Sequence, residues 1–157
     1  MSRLQAFGDF RCAHCNTIVS SAHLLSGVNN RNHCPYCLWS RHLDLHAAGD
    51  RLSACKAPMQ PLALTTKRSR NKYGSGRGEL MLVHLCTGCG AVSINRIAAD
   101  DDAETLLEVF NASLALSVRT RDLLLDNGIA ILPEESLAIL QLQLFGSTSP
   151  IRLAEMA

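Results

Sequence analysis

Six of the seven cysteines form three pairs in which two residues separate the two thiols. The pairs are Cys12 with Cys15, Cys34 with Cys37, and Cys86 with Cys89. A pair at this spacing can turn both sulfur atoms toward one metal ion. Between Cys15 and Cys34 lie 18 residues, so the first two pairs together have the spacing of a tetrahedral zinc site. We therefore predict that these four cysteines bind zinc.

Cys55 is the cysteine outside these pairs, and we expect it to be a ligand of a second zinc site. With Cys86, Cys89 and one histidine it would complete a set of three thiolates and one imidazole. On this basis we expect two zinc ions. Two alternatives remain open. Either Cys55 is a plain buried cysteine in a protein with one zinc ion, or the third pair completes the first site.

Three histidines are candidates for the fourth ligand of the second site. His42 is the first choice because it follows the second cysteine pair closely. His84 is the rival, because a strand would point it to the same side as Cys86. His33 is third, since its position next to Cys34 suits a hydrogen bond better than ligation.

The second pair reads Cys-Pro-Tyr-Cys, a sequence that also occurs at thiol–disulfide active sites. Such a site needs a strand before the first cysteine and a helix that starts at it, which together lower the pKa of the thiol. Residues 27–32 are a polar turn instead, so we favour metal binding. The odd cysteine count and the absence of an apolar secretory core in residues 1–5 disfavour disulfides. We expect a cytoplasmic protein without a membrane span.

A longer ordered string of motifs accompanies the cysteines. It consists of Phe10-x-Cys12-x-x-Cys15, Arg31-Asn32-His33-Cys34-Pro35-x-Cys37-Leu38-x-Ser40-x-His42-x-Asp44, Gly49-Asp50-Arg51, Cys55, Met59-x-Pro61, Cys86-x-x-Cys89-Gly90 and Asn95-Arg96-Ile97-Ala98. Over about residues 8–102 the chain therefore resembles the RNHCP domain family, whose name spells residues 31–35. The resemblance implies a compact bacterial zinc-binding domain and no particular activity. The chain departs from the family after Cys55, where Lys56-Ala57-Pro58 stands in a place for which a glycine is expected.

The hydrophobic pattern predicts the elements that must position these residues. Residues 62–66 and 79–85 predict the two strands of a hairpin, and shorter strands are predicted at 17–19 and 90–97. Residues 38–46 predict a short helix or an irregular turn.

We predict an α+β fold in two parts. Residues 1–102 form a small zinc-ribbon-like domain with short β-hairpins and paired zinc knuckles. Residues 103–157 form a helical C-terminal extension. In the extension, apolar residues recur at helical spacing from Leu106 through Leu125, and Pro133 begins a further helix.

Three consecutive aspartates, residues 100–102, precede the first helix of the extension. Carboxylates suit the positive end of the helix dipole, and Asp101 has capping-box spacing to Glu104. We expect Arg96 to bind Asp100 or Asp101.

The segment between the two hairpin strands is the most basic stretch of the chain. Arginine can bind a phosphate with two parallel hydrogen bonds, and tyrosine can stack on an unpaired base. We predict that RNA contacts Lys67, Arg68, Arg70, Lys72, Tyr73 and Arg77. The alternative is an exposed hairpin tip that only adds solubility.

The formal net charge of +1 hides an asymmetry between the two parts of the chain. Residues 1–98 hold 12 Lys and Arg against 4 Asp and Glu, a net charge of +8. Residues 99–157 hold 3 against 10, a net charge of −7. A basic part of this kind can attract a polyanion. The alternative is that the acidic part docks on the basic part and neutralises it.

These features lead to one preferred function and two others. We expect a non-enzymatic zinc protein that binds RNA, at the ribosome or another translation component. The first alternative is a protein-interaction or self-association module that uses the leucine-rich helices of residues 103–157. The second is a metal-dependent nuclease, suggested by Asn32 and His33 with His42 and Asp44.

Overall fold

The computed structural model describes residues 8–47, 49–67 and 78–146. The chain forms a two-stranded antiparallel sheet, β1 (Phe10–Arg11) and β2 (Ile18–Val19), and then a helical turn, α1 (His23–Ser26). A four-stranded antiparallel sheet follows, in the order β3 (Ser40–Arg41), β4 (Pro58–Lys67), β5 (Glu79–Cys86) and β6 (Val92–Arg96). The helices α2 (Ala103–Ser113), α3 (Val118–Asp126) and α4 (Leu137–Phe145) complete the described chain. The predicted α+β class is confirmed.

The hairpin of β4 and β5 is the longest element of the sheet, and it confirms the predicted strand pair. Its register runs from Met59 opposite Cys86 at one end to Lys67 opposite Glu79 at the other. Ser40 of β3 also pairs with Met59, so the short strand β3 joins the same end as Cys86. The hairpin therefore has one end beside cysteines and one end at the basic segment.

The main hydrophobic core lies between the four-stranded sheet and the C-terminal helices. Leu64 of β4 and Leu82 of β5 pack against Leu106, Phe110 and Leu140 of the helices, and all five side chains are at most 1% exposed. Helix α4 contacts α2, so the helices of the extension share a core with the sheet. The boundary that we predict at residue 102 stays a prediction.

Two details of the helices differ from the sequence prediction. Asp102 caps α2, because its side chain accepts a 2.9 Å hydrogen bond from the backbone N–H of Thr105, so the capping box at Asp101 is wrong. The helical pattern predicted from Leu106 through Leu125 is also interrupted, because α2 ends at Ser113 and α3 begins at Val118. Ser117 caps a separate helix, α3, because its hydroxyl accepts a hydrogen bond from the backbone N–H of Thr120.

Residues 8–57 contain little regular structure, and their hydrophobic cluster is small. Its buried members are Cys12, Val19 and Cys34, with Phe10 and Cys37 packed against them. Residues 38–46, for which we predicted a short helix or an irregular turn, begin with Leu38 and the short strand β3. Thiol groups thus make up much of the interior of this part of the chain.

Each cysteine pair with its turn is called a knuckle, numbered in chain order. A buried network of charged residues attaches the second knuckle, that of Cys34 and Cys37, to the start of α2. The guanidinium of Arg31 donates two hydrogen bonds to Asp100, of 2.8 and 2.7 Å. His33 Nε2 lies 2.8 Å from a carboxylate oxygen of Asp101, whose side chain is fully buried. The predicted bond from Arg96 to these aspartates is wrong, because Arg96 pairs with Glu79 across the sheet.

Candidate metal centres

The first metal centre consists of four sulfur atoms, those of Cys12, Cys15, Cys34 and Cys37, all within 4.8 Å of one another. Cys12 Sγ lies 3.5 Å from Cys37 Sγ, and Cys15 Sγ lies 3.6 Å from Cys34 Sγ. Sulfur atoms bound tetrahedrally to zinc at about 2.3 Å are about 3.8 Å apart. These two separations are close to the value that a zinc ion requires, and each of the cysteines is a free thiol.

The three cysteine pairs adopt the same turn, which explains why their spacing is the same. The first cysteine of each pair donates its backbone N–H to the carbonyl five residues later, at 2.8 to 2.9 Å, and accepts a bond from the N–H four residues later. The residue at that fourth position has positive φ in every case. These residues are Asn16 (φ 64°), Leu38 (φ 64°) and Gly90 (φ 78°). The turn directs both thiols of a pair to one side.

The thiols of the first centre have unlike acidities. The Thr17 hydroxyl, 3.3 Å from Cys15 Sγ, lowers the pKa of Cys15 to about 6. Burial raises the pKa of Cys34 and of Cys37. A divalent cation reverses that penalty because it stabilises the thiolates directly, so binding of a metal and loss of the thiol protons are coupled.

The second metal centre consists of His42, Cys55, Cys86 and Cys89, whose ligand atoms also lie within 4.8 Å of one another. Cys55 Sγ is 3.7 Å from Cys86 Sγ, and Cys89 Sγ is 3.3 Å from His42 Nδ1. Burial works against the Cys86 thiolate, but the backbone N–H groups of Cys89 and Gly88 outweigh it, and the pKa of Cys86 falls to about 6. The structure thus contains two groups that can each hold a metal ion, in agreement with the two ions predicted.

Strand pairing brings His42 and Cys55 together. Beyond the β3–β4 pair, His42 donates its backbone N–H to Ala57 and accepts one from Lys56, at 2.9 and 3.1 Å. Lys56 has positive φ (52°), a conformation that glycine adopts without strain. The positive φ at this position explains why a glycine is expected after Cys55. In this chain Lys56 adopts the same left-handed conformation.

The loop from His42 to Cys55 is closed by two carboxylates. Asp44 accepts hydrogen bonds from the N–H groups of Gly49 and Arg51, at 2.9 and 3.0 Å. Asp50 accepts bonds from the backbone of Leu45, Ala47, Leu52 and His46, which hold the pKa of its carboxyl well below the usual range. Both aspartates therefore shape the loop that returns the chain to the second centre.

The two rival histidines have structural roles instead. His84 is fully buried; its Nε2 lies 2.7 Å from the carbonyl of Leu38, and its Nδ1 lies 2.9 Å from the amide nitrogen of Asn95. Burial, with repulsion from His33, lowers the pKa of His84 to about 3, so the ring is neutral. His33 is bound to Asp101, as described above. Neither belongs to a metal centre within the described residues.

Of the predicted RNA-contacting residues, the structure describes Lys67, which is exposed at the end of β4. The others lie outside the described residues: Arg68, Arg70, Lys72, Tyr73 and Arg77. Sequence reasoning missed the roles of Arg31, Asp100 and Asp101. Charged residues inside an otherwise structural motif were the signal that could have indicated them.

Two four-residue groups of cysteine and histidine side chains, held by a small antiparallel sheet and three repeated turns, define a metal-binding α+β domain. The RNHCP domain matches residues 7–107, and the chain belongs to this family. No curated protein and no solved structure matches the chain.

Gly88 allows the third knuckle to approach Cys55, so a larger residue should weaken the second centre selectively. A Cβ atom at position 88 would lie 2.7 Å from the Cβ of Ala57 and 3.2 Å from Cys55 Sγ. We expect Gly88→Ala to lower the zinc affinity of the second centre by about tenfold or more, since a shifted ligand loses affinity. Competition with a chromophoric chelator measures this, and the first centre serves as the internal reference.

The double variant Gly88→Ala/Ala57→Gly is the matched control. It removes the methyl group that the new Cβ atom would meet, and so should recover most of the affinity. Equal affinities in all three proteins would show that this contact does not limit metal binding.

Proposed function

We propose that this protein is a non-enzymatic zinc protein that binds RNA in the cytoplasm, with the ribosome or another translation component as its setting. The metal is zinc because four thiolates, or three thiolates and one imidazole, are the ligand sets of closed structural zinc sites. In both centres all four positions belong to the protein, which is the arrangement of a structural ion. The zinc ions therefore shape the domain, and RNA is bound elsewhere.

The observation that carries the RNA proposal is the position of the basic segment in the hairpin. The pair of Lys67 and Glu79 closes the described part of β4 and β5, so residues 68–77 connect the strands at that end. From Met59 to Lys67 the strand rises about 27 Å, at about 3.4 Å per residue. The cationic segment is thus attached at Lys67, the end of β4 opposite Met59 and Cys86.

Replacing Arg68, Arg70, Lys72 and Arg77 by alanine tests this proposal. We expect RNA affinity to fall at least about tenfold. The slope of the logarithm of affinity against the logarithm of salt concentration should become less steep by about 0.7 for each lost phosphate contact. Fluorescence anisotropy with a labelled single-stranded RNA measures both, and zinc content should stay at two ions per chain. Equal affinity of the two proteins at every salt concentration would refute the role of this segment.

The control variant is Arg119→Ala, which removes an exposed cation from α3, away from both metal centres. Affinity capture from cells with and without ribonuclease then tests the translation setting. RNA-mediated partners should be lost after ribonuclease treatment and direct protein partners should remain.

Self-association through the helices is the second candidate, because α3 and α4 expose large apolar side chains. Val118 and Leu125 are 73% and 62% exposed, and Ile139 and Leu142 are 46% and 47% exposed. Deleting the helices would not test this cleanly, because Leu140 is buried in the main core.

Surface variants are therefore the better test of self-association. If α4 forms a dimer seam, Ile139→Glu/Leu142→Glu should halve the mass in solution, measured by light scattering. The control is Leu24→Glu, since Leu24 is 98% exposed on α1. A mass equal to one chain in both variants and in the parent protein would exclude the seam.

The nuclease alternative is not proposed. It needs an accessible histidine free of zinc beside a divalent ion, whereas His42 is a member of the second centre and His33 is only 2% exposed. Asp44 is bound to backbone N–H groups.

A further inference from the structure

A cavity of about 450 Å³ lies between the first knuckle and β3. This volume falls within the range of about 300–1,000 Å³ that is typical of small-molecule sites. Its lining includes Phe10, His14 and Trp39 together with Arg11 and Arg41, and contains no carboxylate. The cavity thus combines aromatic rings with cations.

The aromatic part of the cavity is a preformed stack. The rings of His14 and Trp39 lie 4.2 Å apart and are parallel to within 4°. Trp39 is half-buried, and its backbone carbonyl accepts the N–H of Cys34, so the turn of the second knuckle holds its backbone beside the first metal centre. A planar base can extend such a stack at little conformational cost, and base–aromatic stacking tolerates any base.

Four arginines line the cavity. Arg31 and Arg51 are paired with Asp100 and Asp44, whereas Arg11 and Arg41 are exposed and form the part open to a ligand. Arg11 donates a 2.9 Å bond to the carbonyl of Asn16, and Arg41 donates through Nε to the carbonyl of Lys56 at 3.1 Å. In the described part of the chain, no carboxylate forms an ion pair with either. Their remaining N–H groups are therefore available for a phosphate.

We propose that this cavity holds one unpaired nucleotide of RNA, with the base stacked on Trp39 and the phosphate between Arg11 and Arg41. The assignment deepens the RNA-binding function proposed above and rests on it. Four thiolates on one zinc ion leave a net charge of −2 near the cavity, but of these four cysteines only Cys12 is among the lining residues. The two arginines offset that charge on the side where the phosphate lies.

Trp39 is the single tryptophan of the chain, so its fluorescence reports on this cavity alone. We expect uridine monophosphate and a short single-stranded RNA each to quench the Trp39 fluorescence of the zinc-loaded protein, and the quenching to saturate as their concentration rises. The same RNA annealed to its complement should not quench, because its bases are already stacked and paired. Quenching should persist in the variant that lacks the four basic residues of the hairpin segment, because none of those residues lines the cavity, and Arg41 pairs with Pro58, at the end of β4 opposite Lys67.

Variants provide an independent readout by anisotropy of labelled RNA. Trp39→Leu should weaken binding by about tenfold, as loss of one stacked base does. Tyr36→Leu is the matched control, because Tyr36 is an exposed aromatic residue of the same knuckle that does not line the cavity. Arg11→Ala/Arg41→Ala should weaken quenching to a similar degree, and each variant should retain two zinc ions.

The outcomes separate the cavity from the general function. RNA binding by anisotropy without any change in Trp39 emission overturns the cavity site and leaves the RNA function standing. Saturable quenching by the mononucleotide without binding of RNA supports the cavity as a nucleotide site and removes the RNA function. An absence of both refutes the two proposals together.

Discussion

Removing zinc with excess strong chelator is expected to unfold residues 8–57 while β4, β5, β6 and the C-terminal helices retain structure. The hydrophobic cluster of this part is built largely from Cys12, Cys34 and Cys37, so little apolar burial remains without the metal. Structural zinc binding supplies about 10–16 kcal/mol in small zinc domains, which equals or exceeds the usual stability of about 5–15 kcal/mol. Hydrogen exchange should show lost protection at the amides of the first knuckle, such as those of Cys12 and Asn16.

Ligand variants allow the two centres to be distinguished. Cys34→Ser should leave one zinc ion per chain and expose the amides of the first two knuckles. Cys89→Ser should also leave one ion, but should expose the amides around Cys55 and Cys86 instead. The amides of Leu64 and Val83 in the central hairpin serve as the reference in both proteins. If protection at the knuckles survives complete removal of metal, zinc is not what maintains this part of the fold.

Asp101→Ala is expected to destabilise the protein by about 3–5 kcal/mol, the usual cost of removing one partner from a buried ionic network. The side chains of Arg31, His33 and Asp101 are 1%, 3% and 0% exposed. The substitution leaves His33 without its partner and weakens the negative charge around Arg31, whose nearest remaining carboxylate is that of Asp100. It also removes the acceptor of the Ala98 N–H. Urea denaturation of the zinc-loaded protein measures the change in the free energy of unfolding.

Glu79→Gln is the matched control for Asp101→Ala. It removes a carboxylate from the exposed pair with Arg96, where the side chains are 38% and 64% exposed. Exposed pairs contribute about 1 kcal/mol or less. Asp101→Asn keeps the shape and an acceptor, so its loss should be intermediate. Similar losses from Asp101→Ala and Glu79→Gln would mean that the network does not stabilise the junction with α2.

Local features were predictable because their determinants are close in the sequence. The bonds of each knuckle join residues four and five positions apart, so cysteine spacing alone indicated the turns. The hairpin strands and the helices were indicated by the period of their apolar residues. The break before α3 was missed because Ser117 caps a helix inside a continuous apolar pattern.

The choice of the fourth ligand depended on long-range pairing. Three histidines had a suitable position in the sequence, and the β3–β4 register brought His42 to Cys55. The same holds for the partners of His33 and Arg31, which lie 68 and 69 residues away in the sequence. No pattern within a short window carries that information.

The sequence by itself determined that this is a metal-binding protein of the RNHCP family with three cysteine knuckles, one central hairpin and helices at the C-terminal side. The tertiary structure decided which knuckles share a centre, which histidine joins the second centre, and that Trp39, His14 and four arginines line one cavity. The physical reason is that turns and amphipathic periods are short-range properties. Ligand sets and cavities instead arise only when distant segments pack against one another.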